Sequence, residues 1–179
     1  LTLAGIEKVN ITTTDDVTLA TLANMSDITE LTITGDGDVS ITATGAIAFA
    51  LNTIVNGSGM TSDSVLDFTS AITNGLAITG GSAADTITGG AGADTIVGGA
   101  GDDIIEGGAG EDIIDGGTGN NTISYITSQE GINIDIKNNT ASGGDAQGDI
   151  ISNFDNIIGS NHDDNIIGND NDNIIEGKQ

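Results

Sequence analysis

The chain has no cysteine, no proline, no tryptophan and no arginine among its 179 residues. Without cysteine it can form neither a disulfide nor a thiolate metal site. Positive charge is confined to Lys8, Lys137 and Lys178, against 27 acidic residues, and the formal net charge is −24. Such a surface repels nucleic acid and anionic membranes, and it resists its own compaction unless cations neutralise it. Aromatic side chains are limited to Phe49, Phe68, Tyr125 and Phe154, too few to centre a large mixed core. No apolar run approaches the roughly 20 residues that span a bilayer, so no transmembrane segment is expected. No basic leader precedes an apolar stretch either. The chain opens on Leu1 and stops just after Gly177 begins a new unit, so it reads as a segment of a longer protein. Stability must come from stacked aliphatics, backbone ladders and bound ions.

Glycine is abundant instead, with 28 residues. From Gly80 to Ser124 the chain falls into five nonapeptides, GGSAADTIT, GGAGADTIV, GGAGDDIIE, GGAGEDIID and GGTGNNTIS. The units starting at Gly89, Gly98 and Gly107 fit GGxGxDxUx throughout, where U is a large aliphatic. This pattern winds a parallel β-helix whose turns bind calcium. Six residues turn and three form a strand, with position 8 pointing inward at Ile87, Ile96, Ile105, Ile114 and Ile123. Two units complete an eighteen-residue coil, and successive coils lie about 4.8 Å apart.

Position 6 then falls over the position 6 two units earlier, which brings Asp85 beside Asp103 and Asp94 beside Asp112. Carboxylates so placed repel unless a cation separates them. Calcium suits the task because it accepts about six to eight oxygens, backbone carbonyls included, in flexible geometry. Magnesium demands a tighter octahedron, and transition metals want His or Cys, which the array lacks. Several calcium ions are therefore expected at Asp85, Asp94, Asp103 and Asp112. Asn121 offers a weaker, neutral oxygen under Asp103. A solvated acidic face without ions is the alternative.

Residues 125–149 break the phase, since Ile123 and Ile157 are 34 apart, two short of a multiple of nine. This insert holds INIDIK, which reads as a strand, and the loop NNTASGGDAQGD. The phase then returns in degenerate form, with Asp155, Asp164 and Asn173 at position 6 and Ile157, Ile166 and Ile175 at position 8. The solenoid is expected to continue after an omega-like excursion. His162 reads as a solvent-facing turn residue, and Tyr125 and Phe154 as covers for the core. The pairs Asp102/Asp103 and Asp163/Asp164 are explained by the repeat without acid–base chemistry.

Residues 1–79 hold 9 of the 27 acids and are rich in Thr, Ile, Val and Leu. Ile6, Val9 and Ile11 recur as Ile28, Leu31 and Ile33, and Asp16, Val17 and Leu19 as Asp38, Val39 and Ile41, each shifted by 22. Looser copies fall near Leu51, Ile54 and Val55, and near Ile72, Leu76 and Ile78. A period in the low twenties suits one coil of a solenoid, with Thr21 to Thr29 as an irregular crossing. An antiparallel sandwich is the competing reading of the alternation in VTLATL and VSITATG. Two regions result: a Thr-rich solenoid over 1–79 and a calcium-binding roll over 80–179.

The nonapeptides resemble the repeats-in-toxin (RTX) family, proteins with hemolysin-type calcium-binding repeats exported by type I secretion from Gram-negative bacteria. The resemblance implies an all-β, right-handed parallel β-solenoid with calcium on the position-6 aspartates and on turn carbonyls of adjacent coils. Carried onto this sequence, turn backbone comes from Gly80, Gly81, Gly89, Gly90, Gly98, Gly99, Gly107, Gly108 and Gly116. Ala83 and Asn121 depart from the pattern. The Thr-rich half followed by nonapeptides is similar to Gram-negative surface-layer proteins. That resemblance implies a secreted, non-enzymatic structural protein that assembles with neighbouring subunits into a calcium-dependent lattice on the cell surface. An RTX adhesin or extender region, or the calcium-binding tail of a secreted enzyme or toxin, is the alternative.

Overall fold

The computed structural model describes residues 7–19, 28–42, 53–68 and 74–177. Alternating aliphatic and polar residues favour strands, and the period between copies decides how those strands stack. One sheet pairs β1 (Lys8–Thr13), β3 (Glu30–Gly35), β5 (Thr53–Met60), β7 (Leu76–Thr79), β9 (Thr95–Ala100), β11 (Ile113–Thr118) and β15 (Ile150–Ser152), in that order. The facing sheet pairs β2 (Val17–Leu19), β4 (Val39–Thr42), β6 (Ser64–Asp67), β8 (Asp85–Gly90), β10 (Ile104–Gly108), β12 (Thr122–Ser124), β16 (Asn156–Ile158) and β18 (Ile175–Glu176). Every pairing within these two sheets is parallel. The protein is an all-β parallel β-solenoid. An antiparallel sandwich is excluded.

Each sheet carries one inward file of aliphatics. On the first sheet Val9, Leu31, Val55, Ile78, Ile96, Ile114 and Ile151 succeed one another in register. On the second, Ile41, Leu66, Ile87, Ile105, Ile123, Ile157 and Ile175 do the same. The buried members form a single cluster that runs through both halves. Each stacked aliphatic is removed from water by the coils above and below, which is how a chain so poor in aromatics builds a core.

The coil length is set by these files. The shift of 22 holds for β1 on β3 and for β2 on β4. The looser copies differ from the expected alignment. Leu31 seats on Val55, and Ile54 pairs with Glu30 and faces outward, 47% exposed. Leu76 lies beside Thr53 and Ile78 beside Val55. Ile6, Leu51, Ile72 and most of the proposed crossing at Thr21–Thr29 lie outside the described residues. From β7 and β8 to β11 and β12 the shift is 18, as two nonapeptides per coil require.

The insert is ordered, and it redirects the pairing of a later strand. It contributes β13 (Asn133–Asp135), inside the expected INIDIK strand, β14 (Thr140–Ser142) and a short 3-10 turn at Gly144–Ala146. With β17 (Asn165–Ile167) these strands make a third sheet, in which β13 is antiparallel to β14 and parallel to β17. Ile157 and Ile175 extend the second file as expected. Ile166 does not extend the first: it pairs with Ile134 of the insert. The residue that continues the first file is Ile151. The β13 strand occupies the edge of β17 that the array would otherwise have used. Tyr125 and Phe154 are buried against the core, and His162 lies exposed in a turn.

Candidate metal centre

The position-6 side chains sit where a turn enters a strand, and backbone geometry fixes what they touch. Oδ1 of each accepts the peptide N–H of the corresponding residue one coil back. Asp94 takes Leu76 N–H at 2.7 Å, Asp103 takes Asp85 at 2.8 Å, and Asp112 takes Asp94 at 2.8 Å. The backbone returns the contact, as Ile113 N donates to Asp94 O and Thr122 N to Asp103 O, each at 2.8 Å. Stacked aspartates therefore do not meet carboxylate to carboxylate. Each clamps the neighbouring coil with one oxygen and keeps the other.

That other oxygen is the notable one. Asp94 Oδ2, Asp103 Oδ2 and Asp112 Oδ2 are buried with no hydrogen-bond partner. Asp85 is inverted: its Oδ2 accepts Gly81 N–H at 2.6 Å, and its Oδ1 is the bare atom. All four residues are at most 2% exposed. Burial lifts their carboxyls, Asp85 and Asp94 to about 6 and Asp112 to about 7. Asp103 is raised for the same reason. An ionised oxygen without a partner in such a site is costly.

Beside three of the four bare oxygens a glycine leaves room. The open side of Gly98 faces Asp103 Oδ2 and the Gly116 carbonyl oxygen, and a methyl there would collide with both. Gly89 repeats this with Asp94 Oδ2 and Gly107 O, and Gly107 faces Asp112 Oδ2, whereas Gly80 faces Gly98 O and the already bonded Oδ2 of Asp85. The second glycine of each pair is needed for close stacking. Gly99, at φ 119°, packs directly over the Gly81 carbonyl, and Gly90, Gly108 and Gly117 also take positive φ. Among the described residues no three His, Cys, Asp or Glu side chains converge on one point. One carboxylate oxygen plus stacked carbonyls is nonetheless a donor set that calcium accepts and softer metals do not.

The model of the RTX calcium-binding nonapeptide repeat matches this chain in four copies, over residues 78–105, 88–123 and 152–179. Those segments are RTX calcium-binding repeats. The buried, unpartnered aspartate oxygens lie inside the first two matches, so the residues present fit the ion that RTX repeats bind. No curated protein and no solved structure matches the chain. The repeats form a calcium-binding module of the kind secreted proteins carry. Among the described residues no helix is long and apolar enough to cross a membrane.

Other expected RTX ligands fare differently. Asn121 Oδ1 accepts Asp103 N–H at 3.0 Å, and its Nδ2 donates to Asn153 O at 3.1 Å. A donor thus stands where its neighbours present a bare oxygen, so Asn121 closes the stack. Near it, Gly116 faces the Asn153 carbonyl and the Asn121 amide. Asp155 is also displaced: its Oδ1 takes the amides of Asn169 and Asn171 at 3.0 and 2.6 Å, outside the ladder. Asp164 keeps the pattern, accepting Ile132 N–H at 3.0 Å with Oδ2 against Gly159. Asn173 directs Oδ1 at Gly168 and donates Nδ2 to Asp155 O at 2.7 Å.

Sequence reasoning missed Asp149. It ends the insert, yet it accepts Asp112 N–H at 2.9 Å as a position-6 residue does. Its second oxygen accepts the Tyr125 hydroxyl at 2.9 Å. Here a phenol does what an ion would do elsewhere. The signal in the sequence was Gly143-Gly144 followed by Asp149-Ile150-Ile151, an RTX-like unit whose glycine pair stands one residue farther from the aspartate than in the regular array.

Proposed function

We propose that this chain is a structural, calcium-stiffened part of an exported surface-layer subunit, with calcium held at Asp85, Asp94, Asp103 and Asp112 and no reaction assigned to it. The observation that carries this reading is the unbroken core, whose two files of aliphatics link the Thr-rich coils to the RTX coils. Ions gripped in the turns of one half then stiffen a single rod that includes the other. Calcium supplies the positive charge that the buried carboxylates and the net charge of −24 lack. Low cytosolic calcium keeps the chain unfolded for export, and extracellular calcium folds it. The outer face of the first sheet supports lateral packing, because Ile113 and Ile150 sit side by side, 50% and 61% exposed.

The test is assembly of the full-length protein. Millimolar calcium should give ordered two-dimensional sheets by negative-stain microscopy, and chelation should return soluble subunits. Monomers that persist in calcium while binding a host ligand would make the chain an adhesin segment.

A further inference from the structure

One turn of the solenoid is short. Ile114 to Ile123 and Ile166 to Ile175 each take nine residues between strands, but Ile151 to Ile157 takes six. The three missing residues leave a cleft of about 360 Å³, a size typical of small-molecule sites. Full-length turns wall it on two sides, through Gly117 and Gly119 and through Asn169 and Asn171. The β13–β14 hairpin reaches over it with Lys137 and Asn139, and the short turn forms its floor with Asn153 and Asp155.

Two independent features mark this cleft. Asn139 (φ 53°) and Asn153 (φ 61°) are the two non-glycine residues with positive φ among those described, and both line it. Backbone held in that region clusters at binding sites. The lining holds one lysine and one carboxylate, Lys137 and Asp155, in a chain of net charge −24. Lys137 is itself paired with Asp170, so it presents no free cation to an anionic ligand.

The hydrogen bonds show which chemistry the cleft is ready to meet. Asn169 and Asn171 spend amide hydrogens on Asp155, and Asn153 donates to Asp115 at 2.6 Å. That leaves Asp155 Oδ2 and Asn171 Oδ1 as acceptors and the Asn139 amide as both donor and acceptor. A bare cation needs acceptors only, and an anion needs donors only. Hydroxyls need both, at close spacing. We infer that this cleft binds a neutral polyhydroxylated ligand, a sugar unit.

The test uses the calcium-saturated chain, titrated with glucose, galactose and N-acetylglucosamine while NMR follows the asparagine side-chain amides. At least one sugar should shift the Asn139 and Asn171 signals at millimolar concentration. Asn139→Gly, which tolerates the positive φ, and Asn171→Ala should each weaken binding about tenfold, or about 1.4 kcal/mol. Neither should change calcium uptake or melting temperature. The same sugar at the end of an oligosaccharide should bind tighter if a glycan is the natural source, whereas equal affinity identifies the free sugar. The inference is overturned if no sugar shifts these signals, if both substitutions leave binding intact, or if calcium alone moves them.

Discussion

On the proposed reading, Asp103 is the residue in which clamp and ligand meet. Its Oδ1 holds the Asp85 N–H and its bare Oδ2 faces Gly116 O. Asp103→Ala should lose calcium and also orphan a buried peptide N–H, which costs about 1–3 kcal/mol. Asp103→Asn separates the two roles, because Asn121 already shows an amide oxygen making the clamp. Asp103→Asn should reduce the calcium bound in calorimetric titration yet melt higher than the parent chain in chelator. Lower melting in chelator would show that Oδ2 is not the costly atom. The same carboxyls make stability depend on pH. In the ion-free chain burial raises Asp85, Asp94 and Asp112 to about 6, 6 and 7, above the value of 3.8 expected when unfolded. The folded state then holds protons that the unfolded chain releases, so ion-free stability falls as pH rises through that window. Melting in calcium-free buffer should be higher at about pH 5 than at about pH 7.5, and saturating calcium should reverse the order because protons compete for its ligands. The position-6 aspartates were legible in sequence because a fixed period of nine places them. Their second role as peptide clamps was not, because it depends on how far each side chain reaches toward the coil before it.

Strands in this molecule are specified by what stacks on them. The shift of 18 was readable for Ile87, Ile105 and Ile123, since every unit repeats the same inward residue. It failed for Ile166, whose local sequence, Asn165-Ile166-Ile167, is as good a match for β13 as for the array. Pairing across 32 residues is a competition between strands, and a nine-residue window does not display the competitor. The insert is tied back by buried contacts that also escaped the pattern. Glu106 accepts the Thr127 N–H and hydroxyl at 3.0 and 2.6 Å, and Tyr125 holds Asp149. Tyr125→Phe leaves a buried carboxylate oxygen without a partner and should cost about 1–3 kcal/mol in urea unfolding with calcium present. A loss below measurement would mean that solvent reaches Asp149. Ile105, fully buried between Ile87 and Ile123, tests the file itself. Ile105→Ala should cost about 2–5 kcal/mol through a cavity that rigid coils cannot close.

On the proposed reading, the whole rod depends on adding charge of the missing sign. Each RTX unit fixes nine residues, several of them glycines with much chain entropy to lose, and buries one inward isoleucine. That exchange is unfavourable while four aspartate oxygens are buried bare and the chain carries a charge of −24. Calcium converts the same oxygens into ligands, so its binding free energy becomes folding free energy. The Thr-rich coils bury more aliphatics per coil, with Leu31, Ile33, Val39 and Ile41 all covered, and they rest directly on the RTX coils through β6–β8 and β7–β9. The composition made this dependence visible before any strand was placed, because nothing else in the chain could balance its acids. The most direct measurement is far-ultraviolet circular dichroism of the chain in chelator, then with millimolar calcium added. The account predicts a largely unordered spectrum that turns to β structure on calcium addition, with a large rise in melting temperature. A β spectrum and melting temperature that are the same with and without calcium would contradict it.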